Sequence, residues 1–205
     1  IDLSATYFDI LKDRLYTGKK NGLKRRSSQT ALYHILKFLV KVTAPILSFT
    51  TEDVWQHFFK DRYGIESVFL TEYEELPKEW ENPQIREKIN LILEIREIVL
   101  KALEISRRNG FINSSLEAKV ILYSSNQNIT ETLNYYSKDL WEFFIVSQVE
   151  LKELSENITY QENQTKVLIT KAEGQKCERC WIYSPTVGTN KDHPTICSKC
   201  IEAIS

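Results

Sequence analysis

The chain has 205 residues, 42% of them hydrophobic, which marks it as globular and long enough for one large or two modest domains. Its 27 Lys and Arg against 28 Asp and Glu leave a net charge of −1, and that balance argues against a uniformly basic nucleic-acid binder. No run of about eighteen apolar residues occurs, so no membrane-spanning helix is predicted.

Charge is nevertheless distributed unevenly. Residues 1–45 come to +6, residues 46–110 and 111–170 to −4 each, and residues 171–205 to +1. Basic groups gather toward both ends, which serves either a basic face on an acidic body or simply solvated helix surfaces. The chain starts at Ile1 and contains no Met, so it reads as a piece of something longer.

Leu3, Tyr7, Ile10, Leu11 and Leu15 recur at helical steps and predict a first amphipathic helix, stopped by Gly18 and Lys19-Lys20-Asn21-Gly22. Ser27 or Ser28 is expected to cap a second helix with Leu32, Ile35, Leu36, Leu39 and Val42 on one side. Pro45 lacks a backbone donor and restricts Ala44, which ends that pattern. Thr50-Thr51-Glu52-Asp53 has the form of a cap with acid in the first turn. It opens a third helix in which Trp55, Phe58 and Phe59 are expected in the core. These segments predict a helical bundle, and residues 61–82, acidic and interrupted by Pro77, read as a linker.

Pro83 opens a long helix through Ile85, Ile89, Ile92, Val99 and Leu103, with the i,i+4 pairs Glu97/Lys101 and Glu104/Arg108. Asn109-Gly110 ends it. The period then changes: Ala118–Tyr123 reads as a strand, Thr130–Trp141 as a helix, Phe143–Val149 as a second strand and Val167–Lys171 as a third. The fold class expected is mainly α with a small α/β part. Residues 1–82 form the bundle and linker, 83–172 the long helix and α/β domain, and 173–205 a separate tail.

All four cysteines lie in that tail, as Cys177-Glu178-Arg179-Cys180 and Cys197-Ser198-Lys199-Cys200. Two residues within each hook and sixteen between hooks suit a four-thiolate zinc site, in which two sulfurs of a tight turn point at one centre about 2.3 Å away. So short a tail cannot bury enough apolar surface to fold unaided, and a structural zinc supplies roughly 10–16 kcal/mol. Two disulfides need an oxidising compartment, and no signal segment opens the chain. A redox Cys-x-x-Cys pair belongs at a helix start beside a strand. His193, separated from Cys180 by twelve residues and from Cys197 by three, is an alternative ligand, but four thiols already complete a tetrahedron and Pro194 follows it. Four ligands leave no open position, so the expected role of the single zinc is structural.

Catalytic machinery is not legible. There is no Gly-rich phosphate loop, Gly-x-Ser-x-Gly elbow or His-Glu-x-x-His, and His34, His57 and His193 lie far apart. A binding module is the leading class. Lys20, Lys24, Arg25 and Arg26, with Lys19, offer phosphate contacts. Trp181 beside a zinc ligand offers a face for a base, worth roughly 1–3 kcal/mol. Arg179 projects from the first metal turn, as a base-edge or phosphate contact requires. The plainer alternative is that Trp181 and Tyr183 merely cover the metal.

Three stretches resemble the helical anticodon-binding domain of class I aminoacyl-tRNA synthetases, and among those the bacterial isoleucyl type fits best. They are Tyr7–Tyr16, Arg25–Tyr33 and Ala44–Trp55. Val99–Glu104 and Ser114–Val120 resemble its following α/β region, although Asn113 stands where Gly is expected. Cys177–Trp181, Val187-Gly188, His193-Pro194 and Cys197–Cys200 resemble its C-terminal zinc module. The family's ATP-handling signatures, of the His-Ile-Gly-His and Lys-Met-Ser-Lys-Ser kind, are absent, as is any editing domain.

The resemblance implies the non-catalytic, tRNA-recognising end of a cytoplasmic, monomeric ligase. Its partners are the tRNA for isoleucine and the rest of the synthetase chain, and its ATP is used elsewhere. By matching position, Arg179 and Trp181 are candidate anticodon-loop contacts, with Arg25 and Arg26 as weaker ones. A zinc-containing protein-interaction module without RNA binding is the competing expectation.

Overall fold

The computed structural model describes residues 2–153 and 158–205, and of Asp2 only the backbone. The chain forms two compact units, Lys20–Glu81 and a larger one made of Ile1–Lys19 with Asn82–Ser205.

The larger unit begins with a π-helical turn, Asp2–Tyr7, that runs into α1, Phe8–Tyr16, where Ile10 and Leu11 are buried. The smaller unit follows as α2 (Leu23–Thr43), α3 (Ser48–Phe58) and the short α4 (Lys60–Tyr63). The chain returns to the larger unit with α5 (Pro83–Arg108), β1 (Ala118–Ser124), α6 (Gln127–Tyr135), α7 (Leu140–Phe144) and β2 (Gln148–Leu151). It closes with β3 (Tyr160–Glu162), β4 (Thr165–Lys171), the hairpin β5 (Gln175–Lys176) and β6 (Tyr183–Ser184), and α8 (Ser198–Ile204). The mainly α composition with a small mixed sheet is as expected.

In the smaller unit, α2 starts earlier than its serines suggested. Gly22 takes the extended conformation of an N-cap, at φ −65° and ψ 140°, so Ser27 and Ser28 lie inside the helix. Ser28 Oγ donates back to the Lys24 carbonyl at 2.9 Å. Helix α3 likewise begins before Thr50-Thr51, with Leu47 at its N-cap and no side-chain cap. Glu52 instead accepts from Ser67 Oγ at 2.8 Å and from the Val68 backbone N–H at 3.1 Å.

Val40, Ala44, Trp55, Phe59 and Val68 form this unit's core, and Trp55 Nε1 donates to the Ile65 carbonyl at 2.9 Å. Phe58, expected there, is 64% exposed, because adjacent helix positions diverge by about 100° and Phe59 already occupies the inward one. Residues 61–82 are no free linker. Val68 is buried in the core, and Glu74 pairs with Lys37 at 2.6 Å and Lys41 at 3.0 Å, folding the segment back over α2.

The larger unit is organised by α5 lying on a sheet of order β2-β1-β4-β3. Strands β1 and β4 run antiparallel, pairing Val120 with Ile169 and Leu122 with Val167, and these apolar positions are buried together with Ile92, Val99 and Leu103 of α5. Strand β2 is parallel to β1, which requires a crossover, and α6 with α7 supply it. Strand β3, not foreseen, pairs with β4 through the two-residue turn Asn163-Gln164, both at positive φ as a type I′ hairpin demands.

The helix expected over Thr130–Trp141 is interrupted after Tyr135, and the strand expected over Phe143–Val149 is largely α7 and its exit. A short apolar run such as Phe143–Val146 has the same appearance as a buried strand or a buried helical turn. The first helix, grouped by sequence with α2 and α3, packs with α7 in the larger unit. Buried Arg96 joins α5 to α7 by donating from Nε to the Phe143 carbonyl at 2.9 Å.

The limits of α5 agree with the sequence. Asn82 Oδ1 accepts from the Ile85 N–H at 3.0 Å, Pro83 takes the first helical position, and Gly110 leaves at φ +69°. Glu104 pairs with Arg108 at 2.9 Å, but Lys101 pairs with Glu162 of β3 at 2.6 Å and not with Glu97. Replacing Asn82 by Ala is expected to cost about 1 kcal/mol through loss of the cap, read as a lower denaturation midpoint. An unchanged midpoint counts against the cap. No helix among the described residues is long and apolar enough to cross a membrane.

Candidate metal centre and nucleic-acid interface

The tail is built around its thiols. Gly174, at φ +87°, precedes β5 where a Cβ would stand 2.2 Å from the Ser184 backbone, so only glycine lets the two short strands approach. Cys177 then enters a tight turn whose closing bond is Trp181 N–H to the Cys177 carbonyl at 2.8 Å. The second hook leads into α8, with Cys197 at its N-cap and Cys200 in its first turn.

The four sulfurs lie within 4.8 Å of one another, with Cys177 and Cys200 at 3.8 Å and Cys180 and Cys197 at 3.7 Å. A tetrahedron with metal–sulfur arms of about 2.3 Å has edges of about 3.8 Å, so the set suits one zinc. Cys177, Cys197 and Cys200 are buried and only Cys180 is half-buried.

Burial opposes charge on Cys177, yet backbone N–H groups of Cys180, Cys197 and Arg179 bring its thiol down to about 6. Burial pushes the Cys180 and Cys200 thiols up. His193 is exposed and outside the cluster. Four sulfurs complete the tetrahedron, so the metal this set fits is a structural zinc with no position for substrate.

The tail is seated on the rest of its unit by polar contacts from distant parts of the chain. Arg179 Nη1 donates to the Thr17 carbonyl, at the end of α1, at 2.6 Å. Lys199 Nζ donates to both carboxylate oxygens of Asp13 at 2.7 and 2.8 Å, and lies 4.7 Å from the centre of the Trp141 ring. Tyr183 N–H donates to Ser147 Oγ at 2.8 Å, and Gln148 exchanges two hydrogen bonds with the backbone of Glu173.

Where the tail meets α1 and α7 there is a groove of about 420 Å³. Helix α1 contributes Ile10, Asp13 and Tyr16, the tail contributes Arg179, Trp181 and Ile182, and Trp141 comes from α7. Tyr16 is 77% exposed and Trp181 is 60% exposed. Trp181 sits at φ +65°, a conformation rare for a bulky residue, and the turn between the thiols holds it there. Lys176 Nζ lies 5.4 Å from the centre of its ring.

The sequence candidates thus separate into two sets. Arg179 and Trp181 share this groove, although the guanidinium of Arg179 is already engaged with Thr17. Lys20 precedes α2 in the smaller unit, and Lys24, Arg25 and Arg26 occupy the first turn of that helix, which carries no acidic residue. Arg26 donates to Gln29 Oε1 at 3.3 Å. Cations at a helix N-terminus oppose the macrodipole, so a bound anion there gains from both charges. His34 packs edge-on against Trp80 at 4.7 Å, and His57 is exposed. Asp13, Tyr16 and Trp141 of the groove, and Lys199 that binds Asp13, carried no sequence signal, since their meeting depends on contacts across as many as 186 positions.

Comparison with known proteins agrees with this organisation. Residues 174–203 match the zinc finger found in FPG and IleRS. Along its whole length the chain is 44% identical to the isoleucine–tRNA ligase of Caldanaerobacter subterraneus subsp. tengcongensis, and 40% identical to that of Syntrophotalea carbinolica. Over 97% of its length it is 44% identical to the isoleucine–tRNA ligase of Fervidobacterium nodosum. It spans about 22% of each of these relatives. Residues 1–122, more than half of the chain, match the anticodon-binding domain of tRNA ligase, and the chain belongs to that family.

Proposed function

We propose that this chain is the tRNA-recognition portion of an isoleucine–tRNA ligase, the enzyme that joins isoleucine to its tRNA using ATP. Its part is to grip the anticodon stem and loop. The observation that carries this reading is the alignment of the whole chain with isoleucine–tRNA ligases at 40 to 44% identity, in the segment that includes the anticodon-binding match. Its mechanism is selective binding, and no bond is made or broken by these residues. ATP and the acyl transfer belong to parts of the ligase beyond this chain, in a cytoplasmic setting and with one copy of the chain per tRNA.

In this reading zinc holds the tail in shape and takes no part in chemistry. The Trp181 indole offers a stacking face to a base of the loop, with Arg179 at its side. Lys20, Lys24, Arg25 and Arg26 contact phosphates.

The test is binding of a transcribed isoleucine tRNA against an unrelated tRNA, by filter retention over a range of salt. Cognate binding should be tighter. Changing Arg25 and Arg26 to Gln together should weaken binding and lower the slope of log affinity against log salt by roughly 1 to 2. A slope left unchanged removes these two from the contact set. No preference for the isoleucine tRNA, together with capture of a protein partner through the tail, refutes the reading.

A further inference from the structure

Lys199 is the point at which the tail, α1 and α7 meet. Its ammonium is shared between the Asp13 carboxylate and the face of Trp141, while Asp13 also accepts from Thr17 Oγ1 at 2.8 Å. Thr17 is the residue whose carbonyl receives Arg179. Lys199 lies between two thiols of the metal set, so its own position is determined by how that hook is held. Trp181 and Tyr16 stand in the same groove, one on the tail and the other on α1.

We propose that Lys199 and Asp13 form a clip that seats the zinc tail on α1, so that a pair which does not touch RNA sets the spacing of the Tyr16 and Trp181 faces. This rests on the groove being the RNA contact put forward above. Lys199 and Asp13 are positioning residues. Their effect reaches the ligand only through the placement of the two aromatic side chains.

Simple electrostatics predicts the opposite for one of the two. Asp13 is an acid beside a site for a polyanion, so neutralising it should improve RNA binding if charge alone matters. The clip requires that neutralising it weakens binding. Lys199, were it a phosphate contact, would carry a share of the salt dependence, whereas a positioning lysine carries none.

The experiment uses the zinc-loaded 205-residue chain and the variants Lys199→Met, Asp13→Asn and Lys199→Arg. Zinc content, amide hydrogen exchange over residues 9–18, and affinity for the isoleucine tRNA at several salt concentrations are measured for each. Lys199→Met and Asp13→Asn should both keep one zinc and exchange faster at the end of α1. Each should bind the tRNA about five- to tenfold more weakly with an unchanged salt slope, and Lys199→Arg should restore exchange and affinity.

Tighter binding by Asp13→Asn, or a salt slope about one unit lower in Lys199→Met with unchanged exchange, overturns the clip. Faster exchange with unaltered tRNA affinity also overturns it, since the seating would then have no bearing on the groove. If the unaltered chain shows no preference for the isoleucine tRNA, the functional reading itself fails. The exchange data then still decide whether Lys199 and Asp13 seat the tail.

Discussion

Stripping the metal with a chelator, or replacing Cys177 by Ser, is expected to unfold residues 174–203 while α5 and the four-stranded sheet stay folded. The reason is the composition of the tail's interior. Its buried cluster is Cys177, Cys197, Cys200 and Val187, with Cys180 and Ile196 packed against it. Without a metal that interior is mostly thiol, and its strands β5 and β6 are two residues each. Such a segment depends on metal binding for its fold, to the extent of roughly 10–16 kcal/mol at neutral pH. The sheet and α5 have their own core of Ile92, Val99, Leu103, Val120, Leu122 and Phe144, which the chelator does not touch.

Elemental analysis should find one zinc per chain, and hydrogen exchange after chelation should show loss of protection confined to the tail and the end of α1. A tail that stays protected without metal would sink the prediction. The pH dependence has a definite sign. In the unfolded, metal-free tail the thiols return to the ordinary cysteine value of about 8.5 and so mostly keep their protons at neutral pH. Zinc has to displace those protons, and its affinity therefore falls as pH falls. Zinc retention that rises on acidification contradicts a thiolate site.

Replacing Trp181 by Gly separates the work of the indole from the work of the turn. Binding of the isoleucine tRNA should fall about ten- to a hundredfold, the range for loss of one aromatic stacking platform. Zinc content and the stability of the tail should not fall. The indole is 60% exposed, so its removal forfeits little burial, and Trp181 sits at φ +65°, where glycine is relieved of strain. Trp181→Ala should lose the same affinity without that relief. If Trp181 instead served as a lid over the metal, Trp181→Gly would lose zinc, and RNA affinity would track metal content. The two accounts therefore predict opposite behaviour of zinc retention in one variant.

Features of the chain that depend on near neighbours were readable. Two hooks of Cys-x-x-Cys mark the donor set, because a ligand pair in one turn needs only local geometry. Pro83 and Gly110 bracket α5 for the same reason: one supplies the backbone angle of a first helical turn and the other the left-handed exit. Where a local rule had a competitor, it misled. Gly22 took the cap that Ser27 and Ser28 seemed to offer, and Lys101 chose Glu162 across the unit over Glu97 on its own helix. Phe58 and Phe59 are equally apolar, and only packing against Trp55 decided which one turned inward.

From its own residues the chain dictated a mainly helical body, a four-thiolate tail and an indole held beside it, since each follows from spacing within a few positions. Tertiary structure alone decided where that tail rests. Asp13, Thr17, Trp141 and Lys199 are brought together by the packing of α1 and α7 against the zinc turns. Contacts between residues as far as 186 positions apart leave no periodic trace for a sequence reading to find.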